Sequence, residues 1–98
     1  MKPYIGIVSK DPDSAYGICF PDAPGCFSAA DEMDELFAIA EEALTGWTAA
    51  MQDAGNPIPP RRDLSEISND PEWEESLAES VFLIAVPAPV VRKERAAA

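Results

Sequence analysis

Residues 16–29 read Tyr-Gly-Ile-Cys-Phe-Pro-Asp-Ala-Pro-Gly-Cys-Phe-Ser-Ala, and the fold turns on how this stretch divides. From Ala15 to Phe20 the chain alternates, with Tyr16, Ile18 and Phe20 on one face and Ala15, Gly17 and Cys19 on the other. That is the period of a half-buried strand. Pro21 to Gly25 breaks it. Within the break, Pro24-Gly25 suits a type II turn, where proline presets φ and glycine accepts a positive value. Cys26 to Ala29 is then a further short strand. If Phe20 pairs with Cys26 across the break, Cys19 and Cys26 face opposite sides of the sheet, which disfavours a disulfide. Upstream, Tyr4 to Val8 is apolar and rich in β-branched residues, and Lys10-Asp11-Pro12-Asp13-Ser14 supplies a turn. The first two runs therefore form a hairpin.

Downstream lies a helix. Asp31 stands as its N-cap, and Glu32, Asp34 and Glu35 place negative charge at the positive end of the dipole. Leu36, Ala40, Ala43, Trp47, Ala50 and Ala54 recur at three- and four-residue intervals, with Met33, Leu44 and Met51 broadening the stripe. Glu41, Glu42, Thr45, Thr48 and Gln52 lie away from it. Gly55 and Asn56-Pro57 end the helix, and Gly46 inside it costs about 1 kcal/mol. Ile58-Pro59-Pro60 is an extended linker. The stretch from Asp63 to Ser80 is polar and acidic, with Asp70 as cap and Pro71 starting a short helix that carries Trp73 and Leu77. Val81 to Val86 is apolar on both faces and belongs inside a sheet, not at its edge. Pro87 and Pro89 end it. The expected architecture is α+β, β-β-β-α-(α)-β, with one antiparallel-rich sheet packed on one main helix. Ile5, Ile7, Ile18 and Phe20 are expected to meet that helix. Tyr4, Gly6, Val8, Gly17 and Cys19 would lie on the second face, covered by another copy, by the short helix or by a partner. Residues 1–89 form the domain, followed by a basic tail over 90–98.

Charge narrows the function. Of 98 residues, 18 are acids against 7 bases, with no histidine, for a formal charge of −11. No Lys or Arg occurs between Asp11 and Pro60 or between Asp63 and Val91. Such a body repels nucleic-acid phosphates and attracts cationic surfaces. No run reaches the ~20 apolar residues of a membrane span, and Met1-Lys2-Pro3-Tyr4 is not a signal peptide, so the cytoplasm is the expected location. Nucleophilic catalysis lacks a histidine base. Two cysteines without histidine do not make a zinc site. Asp11-Pro12-Asp13 opens like a calcium loop, but Tyr16 stands at its glycine position and Asp22 at its twelfth. There is no glycine-rich phosphate loop. A non-enzymatic binding protein without cofactor or metal is expected.

The same residues resemble a known family. Tyr16 to Ala29 is similar to the HicB signature, whose core here is Phe20-Pro21-Asp22-Ala23-Pro24-Gly25-Cys26. Glu41-Glu42-Ala43-Leu44 looks like that family's A-x-E-A-L segment, and Asn56-Pro57-Ile58-Pro59-Pro60 resembles its G-x-x-I-P-x-P stretch. The likeness runs from about Tyr4 to Pro87. Ala30 departs from a common glycine, and Phe37-Ala38 from a common acidic pair. The resemblance implies an antitoxin with a partial RNase H fold; the expected homo-oligomer follows instead from the sheet's second face, if another copy covers it. The antitoxin's partner would be a basic HicA-type toxin that cleaves mRNA, neutralised by covering its active surface. DNA would be bound only through a C-terminal segment absent here, of which Val90 to Arg95 would be the stub. The expected partner-binding residues are Phe20, Pro21, Asp22, Pro24 and Gly25 in the loop, then Asp31, Glu32, Glu35, Glu41 and Glu42 on and before the helix. A turn and a helix dipole account for most of these without any partner. The competing reading is an orphan HicB-like oligomeric scaffold or the sensor domain of a transcriptional regulator.

Overall fold

A computed structural model of the chain describes residues 2–89; the basic tail expected over 90–98 lies outside them. Four strands, β1 (Tyr4–Lys10), β2 (Tyr16–Cys19), β3 (Phe27–Ala30) and β4 (Phe82–Val86), form one antiparallel sheet in the order β3-β2-β1-β4. Between β3 and β4 lie three helices, α1 (Leu36–Asp53), α2 (Leu64–Ser68) and α3 (Glu74–Glu79). The expected α+β architecture is present, with one short helix more than the sequence reading gave. Among the described residues no helix is long and apolar enough to cross a membrane.

Register decides which face of β1 is the core. Val8 lies opposite Ile18, and Ile7 opposite Cys19. Side chains alternate along a strand, so Tyr4, Gly6 and Val8 share the face of Ile18, and Ile5 and Ile7 take the other. This reverses the expectation for β1. The core under α1 joins Tyr4, Val8, Ile18, Phe20, Ala23, Cys26, Ala30 and Val86 to Leu36, Ala40 and Leu44. Gly6 is there for space. A Cβ on it would stand 2.7 Å from Ile18 Cδ1 and 3.0 Å from Phe20 Cε1.

On α1 the buried ridge is Leu36, Ala40, Leu44 and Thr48, a pure i, i+4 row, with Ile39, Ala43 and Trp47 partly buried beside it. Thr48, expected outside, is buried, and Ala50, Ala54 and Met33, expected inside, are exposed. The reason is geometric: the sheet is four strands wide and contacts α1 along one i, i+4 ridge, so its last turn projects past the sheet. The helix start also shifts. A 3₁₀ turn over Met33–Glu35, closed by the Glu35 N–H donating to the Glu32 carbonyl at 3.2 Å, precedes α1, so Asp31 caps nothing. At the other end Gly55 takes φ +73°. The Asn56 N–H bonds the Met51 carbonyl at 2.9 Å and the Gly55 N–H bonds that of Gln52 at 3.1 Å, closing a Schellman motif.

Among the described residues β4 is an edge strand, paired with β1 alone, and not interior as expected. It is apolar on both faces because each is partly covered: Phe82, Ile84 and Val86 pack on the α1 core, and Leu83 on the opposite face is half-buried. That second face is covered in part by the 64–79 segment, one of the three expected possibilities, since α3 packs against β1 and Ile7 is buried. Ile67 of α2 is fully buried outside the α1 core. α2 itself, absent from the sequence reading, starts where the Asp63 N–H donates to Glu66 Oε1 at 2.8 Å. Asp70 caps the next turn as expected, its carboxylate accepting from the Glu72 N–H at 3.0 Å.

Candidate interaction surface

The loop from Phe20 to Cys26 is built by two successive turns. The Ala23 N–H reaches the Phe20 carbonyl at 3.1 Å, and the Cys26 N–H reaches that of Ala23 at 3.0 Å. Gly25, at φ +86°, fills the left-handed position of the second turn, as its sequence predicts. Trp47 of α1 donates its indole N–H to the Pro24 carbonyl at 2.8 Å, pinning the loop to the helix. Tyr4 meets both Phe20 and Trp47 edge-to-face, at 6.5 and 6.2 Å between ring centroids. The Arg61 guanidinium lies 5.3 Å from the Tyr4 ring centroid.

Asp22 is the loop's buried charge. Its carboxylate accepts from the Arg62 backbone N–H at 2.7 Å and from Arg62 Nε at 2.8 Å. Arg62 reaches on with Nη1 to Asp70 Oδ2 at 3.0 Å. One guanidinium thus ties the loop after β2, the proline linker and the cap of the 71–79 segment. The hydrogen bond from Arg62, joined by the one from the Glu72 N–H, holds the Asp70 carboxyl below the usual carboxylate range. Burial pushes both thiols up, so Cys19 and Cys26 sit as protonated thiols. They are unpaired with each other and lie on opposite faces, as expected.

The expected partner-binding residues therefore divide. Phe20, Pro21 and Asp22 are buried and occupied within the chain. Pro24 and Gly25 are exposed at the loop tip. Asp31, Glu32 and Glu35, with Asp34, are exposed around the 3₁₀ turn, and Glu41 and Glu42 on α1. No Lys or Arg lies among them in sequence.

Exposed apolar side chains accompany these acids, and sequence reasoning missed them. Phe27 on β3 is 73% exposed, Met33 on the 3₁₀ turn 56%, and Phe37 on the first turn of α1 46%. Exposed aromatic anchors ringed by charge are the anatomy of a protein-binding surface. For Phe27 a signal existed: once Cys26 faces the core, period-two alternation turns its neighbour outward. Phe37 lay off the apolar stripe and carried the same hint. Among the described residues no group of three or more His, Cys, Asp or Glu is placed to hold a metal ion.

Comparison with known proteins places this geometry. Residues 4–95 match the family described as HicB_like antitoxin of bacterial toxin-antitoxin system. The chain is 30% identical over 63 residues to an uncharacterized 14.9 kDa protein from the rep-hol intergenic region of Haemophilus phage HP1 (strain HP1c1), covering 64% of this chain and 47% of that protein. The match thus spans about half the length of that curated relative. Among solved structures, a chain of a HicA3 and HicB3 toxin-antitoxin complex superposes with a TM-score of 0.69 at 28% identity, over 89% of this chain and 98% of that one. The Burkholderia pseudomallei antitoxin HicB shares the fold with a TM-score of 0.70 at 24% identity, over 97% and 67% of the two chains. Its N-terminal domain gives 0.67 at 22% identity, over 89% and 98%. With the family matched across nearly the whole chain and the fold shared with solved HicB structures, this chain belongs to the HicB-like antitoxins of bacterial toxin–antitoxin systems.

Proposed function

We propose that this chain neutralises a basic, HicA-type mRNA-cleaving toxin by binding it and masking its active surface. The observation that carries this reading is the run of exposed acids Asp31, Glu32, Asp34, Glu35, Glu41 and Glu42, with no base between them in sequence and with exposed Met33 and Phe37 among them. An RNA-cleaving protein must present cationic groups to phosphate, and an acidic surface with apolar anchors competes for those groups. The chain acts by stoichiometric occupation, not by catalysis. We read its three antiparallel strands, helix and returning strand as a partial RNase H fold. In this reading the chain is a cytoplasmic homo-oligomer, and the described residues do not contact DNA, whose phosphates their charge repels.

The test is co-purification with a HicA-type toxin, a small basic protein sought in the neighbouring reading frame, followed by an RNA-cleavage assay. Inhibition saturating near a fixed stoichiometric ratio is expected. Cleavage that proceeds unchanged at excess antitoxin sinks the reading and favours an oligomeric scaffold or a regulator's sensor domain.

A further inference from the structure

We propose that the groove between β3 and the middle of α1 receives an extended, cationic segment of the toxin, which adds to the free edge of β3 as a further strand. The inference rests on the antitoxin reading and names the contact within it. Among the described residues β3 pairs only with β2, so its other edge closes the sheet on that side. A strand edge offers a row of backbone donors and acceptors to an incoming chain, and proteins usually guard it with Lys, Pro or a bulge. Phe27-Ser28-Ala29-Ala30 carries no Lys or Pro, and its four-residue length alone guards it. Strand addition is a recurrent way of holding an extended segment, with backbone bonds giving affinity and flanking pockets giving specificity.

Beside this edge runs an open groove of 370 Å³, with Phe27 and Ser28 on one wall and Ile39, Glu42, Ala43 and Gly46 on the other. Gly46 is the informative member. It lies inside an 18-residue helix, where glycine is worse than alanine by about 1 kcal/mol. Neither backbone nor packing asks for it. Its φ is not positive, and a Cβ there would meet nothing within 4 Å. No neighbour in the described chain needs the missing methyl, whereas an incoming backbone in the groove does. Phe27 pairs with Cys19, so its largely exposed ring lies on the sheet face away from α1 and would flank the added strand from that side.

Charge selects the occupant. Glu42 lines the groove, and β3 runs directly into exposed Asp31 and Glu32, followed by Asp34 and Glu35. These acids draw a cationic segment into the groove.

The experiment measures toxin capture and thermal unfolding for the unaltered chain, Gly46→Leu, Phe27→Ser and the control Gln52→Leu, an exposed helix position that does not line the groove. Gly46→Leu is expected to keep or raise the melting temperature of the free chain while weakening capture by about tenfold or more. Phe27→Ser should weaken capture similarly with little change in melting, and Gln52→Leu should capture normally. Amide hydrogen exchange should show the Phe27–Ala30 amides gaining protection only in the complex. Normal capture by both groove variants, or no added protection on β3, overturns this contact and leaves the antitoxin reading intact. No capture by the unaltered chain overturns both. Self-association of the free chain that Phe27→Ser abolishes would give the groove to a second copy and also overturn the proposal.

Discussion

Asp22 does at the scale of one residue what the loop's turns cannot do alone. Two turns shape residues 20–26, but only the Asp22 carboxylate, through the backbone and side chain of Arg62, ties that loop to the linker. Asp22→Ala leaves Arg62 Nε and the Arg62 backbone N–H without their acceptor while Nη1 keeps Asp70, and should lower unfolding stability by about 1–3 kcal/mol. Asp22→Asn keeps one acceptor and should lose less, with urea midpoints separating the two. Asp70 makes a different test. Its carboxyl is held below the usual range, chiefly by Arg62. A depressed folded-state pKa contributes stability that is present at neutral pH and lost as pH falls below about 4, through the folded value. Asp70→Asn should therefore flatten the fall in melting temperature between pH 5 and 3. An unchanged acid limb would remove Asp70 from the clamp's energetics.

Among the elements, α2 shows most clearly what packing adds. Five residues make little more than a turn, which is unstable alone and leaves no periodic window to detect. Its legible signal was Asp63 followed three residues later by Glu66, a capping pair. What keeps α2 in place is Ile67, fully buried. Ile67→Ala should cost about 2–5 kcal/mol, whereas Leu64→Ala on the same turn, at an exposed position, should stay within about 0.5 kcal/mol. Equal effects would mean that α2 adds little to the fold. β4 carries a related lesson. Its unbroken apolar run marked it as a strand, but whether a strand is central or edge depends on its neighbours, and its own side chains do not record them.

For the whole molecule the governing quantity is charge. At −11, the chain steers cationic partners over a distance set by ionic strength, about 10 Å at 0.1 M salt. Glu41 and Glu42 are both exposed on α1 with no base near them in sequence. Reversing both to Lys should slow toxin association by about three- to tenfold at low salt, with the difference shrinking as salt rises. An unaltered association rate would take these two acids out of the encounter surface.

The sequence by itself determined the strands to within a residue or two at most ends, the turn at Pro24-Gly25, the Asp70 cap, the Gly55 stop and the acidity of the surface. Each of these is a local matter, settled by one residue's backbone preference or by a short periodic run. Tertiary structure decided what local patterns leave degenerate. β1 is apolar on both sides, so period two identifies a strand without saying whether Val8 or Ile7 faces α1; only pairing Val8 with Ile18 does that. The same register and the narrow sheet buried Thr48, released Ala50, and left Phe27 exposed on an open edge. Burial is a property of what lies opposite a side chain, and for this chain that was settled by strand order.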